Sequence, residues 1–106
     1  MAYVYEVSFD IDSSKMDQLK IGSSLERVLG YLRTLLPSES GYVTSRALYS
    51  LNSEDTTHVI FQSEWQEWED LYQHSRSSLL EDKILEEFEP HIRLKHLTSL
   101  TFNEIA

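Results

Sequence analysis

The stretch Gly41-Tyr-Val-Thr-Ser-Arg-Ala-Leu-Tyr-Ser-Leu-Asn-Ser-Glu-Asp-Thr-Thr-His-Val-Ile-Phe-Gln-Ser-Glu-Trp65 decides the fold. Its first part, Tyr42 to Leu51, sets Val43, Ala47, Tyr49 and Leu51 on one face and Thr44, Arg46 and Leu48 on the other. Its last part, Thr57 to Trp65, sets Val59, Phe61 and Trp65 opposite His58, Ile60, Gln62 and Glu64. Such period-two patterns, rich in β-branched and aromatic residues, read as strands with one buried face. Asn52-Ser53-Glu54-Asp55 between them is turn chemistry, and so short a connection predicts a hairpin.

Upstream, Tyr3 to Ile11 alternates in the same way, with Tyr3, Tyr5, Val7, Phe9 and Ile11 against Val4, Glu6, Ser8 and Asp10. Asp12 to Lys15 breaks the pattern, and 16–22 reads as a loop or loose turn. Ser23 and Glu26 have the spacing of a capping box, which predicts a helix start there. Leu25, Val28, Leu29, Leu32, Leu35 and Leu36 then recur at helical spacing until Pro37 and the turn 38–41. Downstream, a second helix is expected from about Gln66, with Trp68, Leu71 and Tyr72 inward. Ser75 to Ser78 interrupts it. A second capping box, Ser78 with Glu81, begins a short third helix carrying Leu80, Ile84, Leu85 and Phe88, which Pro90 closes. Leu94 to Ile105 reads as a last strand, with Leu100 and Phe102 on its more apolar face.

The hairpin is thus flanked by a strand–helix pair on one side and a helix–strand pair on the other. That order is the split βαβ, ferredoxin-like α+β arrangement, with a four-stranded antiparallel sheet. Residues 1–106 fill it as a single domain, since two domains of about 50 residues each would fall near the lower limit for a core.

Composition narrows function by exclusion. The chain is 41% hydrophobic and 11% aromatic with three Gly and two Pro, a globular make-up. It has no cysteine, which removes disulfides, thiolate nucleophiles and cysteine-bound metal centres. Eighteen acids against nine bases give −9, a poor match to a phosphate-tracking nucleic-acid binder. Most of that charge, nine acids against two bases, lies in 64–89, as expected of solvated helix faces. The start has no basic leader or apolar core of a signal peptide, and no apolar run nears the roughly 20 residues of a membrane span. With the lack of cysteine, this predicts a cytoplasmic location and no membrane partner. Phosphate loops, nucleophile elbows and redox-cofactor fingerprints are missing, so no cofactor is expected. The four histidines lack ligand spacing, so no metal is expected. His91 to His96 is the only basic cluster and balances nearby acids.

If both helices cover the odd-numbered face of the sheet, the other face carries Val4, Glu6, Ser8, Thr44, Arg46, Leu48, His58, Ile60, Gln62 and Glu64. Its aliphatics are costly to leave in water and its charges costly to bury unpaired. Partial cover by a second copy, leaving a polar-lined cavity, suits such a face, and a two-fold homodimer is the commonest way to provide it.

Three runs carry a family resemblance. Gly41-Tyr-Val-Thr-Ser-Arg-Ala-Leu-Tyr-Ser50 resembles the entry to the second strand in the antibiotic biosynthesis monooxygenase (ABM) family. His58 to Trp65 resembles that family's third strand, which ends in tryptophan, and His74 with Ser77 resembles its His-x-x-Ser in the following helix. The resemblance implies a dimeric α+β barrel, and for some members a cofactor-independent oxygenase acting on aromatic or quinol-type substrates. It stops short of the haem-degrading branch. Glu6 and Ser8 stand where that branch has Asn, His74 stands for its Trp, and Ile84 stands for its His.

Each candidate residue has two readings. His74 is a general base or proton donor, or a helix histidine bonded to Ser77. Trp65 and Trp68 form a stacking platform for a planar ligand, or pack in the core. Arg46 steadies a developing oxyanion and His58 removes a substrate proton in a cavity lined by Glu6, Gln62 and Glu64, or all five make a structural ion-pair network. The expectation is an ABM-like homodimer with His74, His58 and Arg46 as its chemistry and Trp65, Trp68, Glu6 and Gln62 as its substrate pocket. The alternative is a non-catalytic dimeric ligand-binding or protein-interaction module of the same fold.

Overall fold

The computed structural model describes residues 2–12, 17–50, 56–88 and 98–103. The strands are β1 (Tyr3–Asp12), β2 (Tyr42–Tyr49), β3 (Thr56–Trp65) and β4 (Thr98–Asn103). The helices are α1 (Gln18–Leu35), α2 (Trp68–Ser77) and α3 (Leu79–Phe88), with a 3₁₀ turn at Leu36–Ser38. The sheet runs β2-β3-β1-β4, and every neighbouring pair is antiparallel. The hairpin β2–β3 is present, and the order is that of the ferredoxin-like fold. The Asn52–Asp55 turn, the Pro90 stop, the His91–His96 cluster and the outer parts of the last strand lie outside the described residues.

The alternation of β1 is obeyed in full. Tyr5, Val7, Phe9 and Ile11 are buried with Val59, Phe61 and Trp65 of β3 in one core. The helices complete it with Ile21, Leu25, Val28 and Leu32 from α1, Leu71 from α2 and Leu80, Ile84 and Phe88 from α3. Phe9 stacks on Phe61 at 6.2 Å and meets Phe88 at 5.4 Å, which ties the two central strands to α3. Deleting one such buried ring costs about 3–5 kcal/mol.

Four expectations are corrected. First, α1 begins earlier than the Ser23–Glu26 spacing predicts. Asp17 is its N-cap, accepting from the Lys20 amide at 2.8 Å. Ile21, in the segment expected to be loop, is fully buried, so packing pulls a further turn into the helix. Second, Ser78 does not open α3 as a capping box. It ends α2 in the left-handed region at φ 54°, and Glu81 instead accepts a hydrogen bond from the Tyr5 hydroxyl. Third, the register of β2 shifts between Tyr42 and Thr44. Val43 is the extra residue and points to solvent, while Tyr42 and Ser45 turn inward. Fourth, Trp68 and Tyr72 are exposed, and the inward positions of α2 are Leu71 and His74.

Gly41 holds the turn into β2. Its φ is +79°, and a Cβ there would lie 2.0 Å from the Asp70 carboxylate oxygen. Its carbonyl also accepts from the Gln66 amide at 2.8 Å, so the start of α2 is seated on this turn.

The caps give a direct test. Asp17→Ala is expected to lower unfolding stability by about 1 kcal/mol, whereas Ser23→Ala stays within about 0.5 kcal/mol of wild type. Urea denaturation checks it; the reverse order would place the helix start at Ser23.

Candidate functional site

With three helices packed on the odd-numbered face, no described helix covers the other face of the sheet, and its residues fall in rows set by the register. One row runs Thr44, Glu64, Val4, Phe102. The next begins Arg46, Gln62, Glu6. A third begins Leu48, Ile60, Ser8, and a fourth places His58 opposite Asp10.

The second row is bonded across three strands. Arg46 Nε donates to Gln62 Oε1 at 2.7 Å, and Gln62 Nε2 donates to Glu6 Oε1 at 2.7 Å. This fixes the Gln62 amide between a guanidinium and a carboxylate and polarises the chain in one direction. Val4, Glu6, Arg46, Gln62, Glu64 and Phe102 together line an open depression of about 350 Å³. The wall residue Phe102 remains 45% exposed, as does Leu48 at 46% in the third row. The face is thus half apolar, with one built polar chain in its middle.

His58 stands apart from that depression. Its Nδ1 lies 2.6 Å from Asp10 Oδ1, with both side chains about half exposed. His58 is four residues from Gln62 on the same strand, which at about 3.3 Å per residue puts them roughly 13 Å apart.

His74 lies on the helix side of the sheet, inside the core. Its ring stacks on Trp65 at 4.8 Å and meets Tyr5 edge-on at 5.4 Å. Neither ring nitrogen has a hydrogen bond, and Glu39 Oε2 is 3.6 Å from Nδ1. Ser77 does not serve the imidazole; its hydroxyl donates to the His74 carbonyl at 2.7 Å. Desolvation lowers the His74 pKa to about 4 and raises that of Glu39. The ring is therefore neutral near pH 7, and its contact with Glu39 is not an ion pair there.

The sequence-predicted site residues are thus divided among four places. Arg46, Gln62 and Glu6 come together on the open face. His58 is paired with Asp10 farther along it. Trp65 is fully buried beside His74, with its Nε1 donating to Ser63 Oγ at 2.9 Å. Trp68 is 48% exposed and packs edge-on against Tyr3 at 6.0 Å, so the two tryptophans share no platform. Sequence reasoning passed over Phe102 as a wall, Asp10 as the partner of His58 and Glu39 beside His74. Aligning β1 antiparallel to β3 brings Asp10 opposite His58, a signal that was present in the strand lengths. Among the described residues no three His, Asp or Glu side chains are grouped as metal ligands would be. None of the described helices is long and apolar enough to cross a membrane.

No protein-family model matches the sequence, and no curated protein matches it. Solved structures do match, at low sequence identity but with superpositions that show a shared fold. A Bacillus cereus protein named as an antibiotic biosynthesis monooxygenase superposes with a TM-score of 0.68 at 12% identity, covering 100% of this chain and 93% of that one. SnoaB, a cofactor-independent oxygenase from Streptomyces nogalater, gives 0.62 at 8% identity, covering 99% of this chain and 94% of its own. A dimeric ferredoxin-like protein from an uncultured marine organism gives 0.67 at 9% identity, covering 99% and 96%. The chain therefore shares the ferredoxin-like fold of these structures.

The buried imidazole sets an acid dependence. The folded-state pKa of His74 is below the ordinary 6.5, so the unfolded chain takes up the proton first. Its contribution to stability is present above pH 6.5 and is lost as pH falls towards about 4, by up to about 1.4 kcal/mol per pH unit. Glu39, raised by burial, acts with the opposite sign and offsets part of that loss at the acid end. Urea midpoints measured from pH 7 to pH 4 should fall more steeply for wild type than for His74→Phe, which keeps the aromatic packing. Parallel curves would show that His74 titrates as it does in the unfolded chain.

Proposed function

We propose that this chain acts as an ABM-like homodimer in which two open sheet faces close on one another. The depression around Arg46, Gln62 and Glu6 then binds a small aromatic or quinol-type molecule and oxygenates it without a cofactor. The observation that carries this reading is the Arg46–Gln62–Glu6 hydrogen-bond chain on a half-apolar face that no described helix covers. The fold shared with SnoaB, a cofactor-independent oxygenase, and with a dimeric ferredoxin-like protein supports it.

The chemistry needs a proton acceptor, an oxyanion stabiliser and exclusion of water. Of the residues expected to act, Arg46 is in the depression and the two histidines are not. Glu6, oriented by Gln62, takes the proton from the substrate in their place. The Arg46 guanidinium steadies the resulting phenolate or enolate. The electron-rich anion then reduces oxygen directly. With an anthrone-type phenol, the ring CH₂ becomes C=O, one oxygen atom stays in the product and the other leaves as water. Both pairs of electrons come from the C–H bonds, so no external reductant is required. The second copy supplies the cover, and Val4 and Phe102 supply the apolar wall.

A second reading, a non-catalytic dimeric ligand-binding module, is favoured by the separation of His58 and His74 from the depression. Oxygen consumption with a panel of hydroquinones and anthrone-type phenols separates the two. The oxygenase reading predicts turnover, with Glu6→Gln and Arg46→Ala each lowering it by roughly 10²-fold. His58→Ala should leave the rate within a few-fold of wild type. Ligand binding with no oxygen uptake would leave the module; uptake unchanged in Glu6→Gln and Arg46→Ala would move the chemistry off this face.

A further inference from the structure

The charges on the open face form an unfinished pair. Arg46 is the basic side chain lining the depression, and its Nε is bonded to Gln62. Glu6 is engaged by the Gln62 amide. Glu64 lines the same depression, and among the described residues no hydrogen bond or ion pair holds it. The register sets Glu64 opposite Thr44 and Val4, one row from Arg46 and on the neighbouring strand. Arg46 and Glu64 therefore lie side by side across a strand boundary without a bridge between them.

Two-fold symmetry makes such an arrangement complementary to itself. If one copy's Arg46 meets the other's Glu64, the reciprocal contact forms by symmetry. Closure without that match would press a carboxylate against an apolar wall or against another carboxylate, and both are costly. The outer guanidinium nitrogens of Arg46, beyond the Nε bonded to Gln62, are the donors suited to a carboxylate arriving from above the sheet.

We infer that Arg46 of each protomer pairs with Glu64 of the partner subunit, a reciprocal bridge that fixes the register in which two copies close. This rests on the homodimer proposed above. It deepens that proposal by making each depression incomplete until a second copy supplies the carboxylate, so that the same Arg46 faces both the ligand and the interface. It also makes closure sensitive to salt, because the bridges sit at the mouth of an open depression.

Charge exchange between two chains tests the bridge. Arg46→Glu alone and Glu64→Arg alone are each expected to run near the 12.4 kDa single-chain mass in light scattering at micromolar concentration. Mixed in equal amounts, the two variants should return to twice that mass. At one contact the reversed charges then face each other, and at the other contact both native residues meet. Native mass spectrometry, with an added tag on one variant, should show the mixed dimer as the dominant species. The double variant R46E/E64R should dimerise by itself, which verifies that both substitutions fold. A wild-type dimer whose two single variants do not recover mass on mixing, or remain dimeric alone, would overturn the bridge and leave the dimer standing. A wild-type chain at the single-chain mass would overturn both.

Discussion

The structure depends on the strict alternation of its two central strands. β1 and β3 pair along ten residues each, and every second residue of both must enter the core. Phe9, Phe61, Val59 and Val7 are buried by that rule, and the intervening residues are left on the far side whether or not anything covers them. A slip of β1 by one residue would exchange its two faces, placing Glu6 among the helices and Val7 in water. The pairing of β1 with β3 therefore fixes both the core and the composition of the open face.

The same constraint explains which parts of the fold could be read from the residues. Alternation is a short-range signal, and it placed the faces of β1 and β3 as they are found. Where a tertiary contact outweighs local chemistry, the reading failed. Ser23 and Glu26 have the spacing of a cap, but Ile21 gains more by burial than the box gains by two hydrogen bonds, so the helix starts at Asp17. Trp68 and Tyr72 are large and apolar, yet Leu71 and His74 are the residues of α2 that point at the sheet. A single bulge at Val43 reversed the faces at the start of β2, and alternation counts carry no signal for an inserted residue.

The arrangement of the candidate site was legible in part for a related reason. Arg46, Gln62 and Glu6 lie on three different strands, and period two placed all three on one face. What it did not supply was position along the strands, which separates His58 from them, or the choice of face for a helix residue, which sends His74 into the core. The His74 ring illustrates the cost of that choice. An imidazole packed between Trp65 and Tyr5 with no hydrogen bond favours its neutral form, and burial accordingly drives its pKa down. The result is one sheet with a titratable aromatic cluster on its covered side and a polarised chain of hydrogen bonds on its open side.

Assembly through the open face is the proposal on which the dimer, the closed depression and the Arg46–Glu64 bridge all rest. Ile60, on that face opposite Ser8 and outside the buried core, is the residue to change. Light scattering of Ile60→Glu, with circular dichroism on the same sample, measures assembly and folding together. The prediction is a wild type at twice the 12.4 kDa chain mass and a variant at the single mass with an unchanged spectrum. A variant that keeps the wild-type mass, or one that loses its folded spectrum, would contradict the division of labour between the two faces of the sheet.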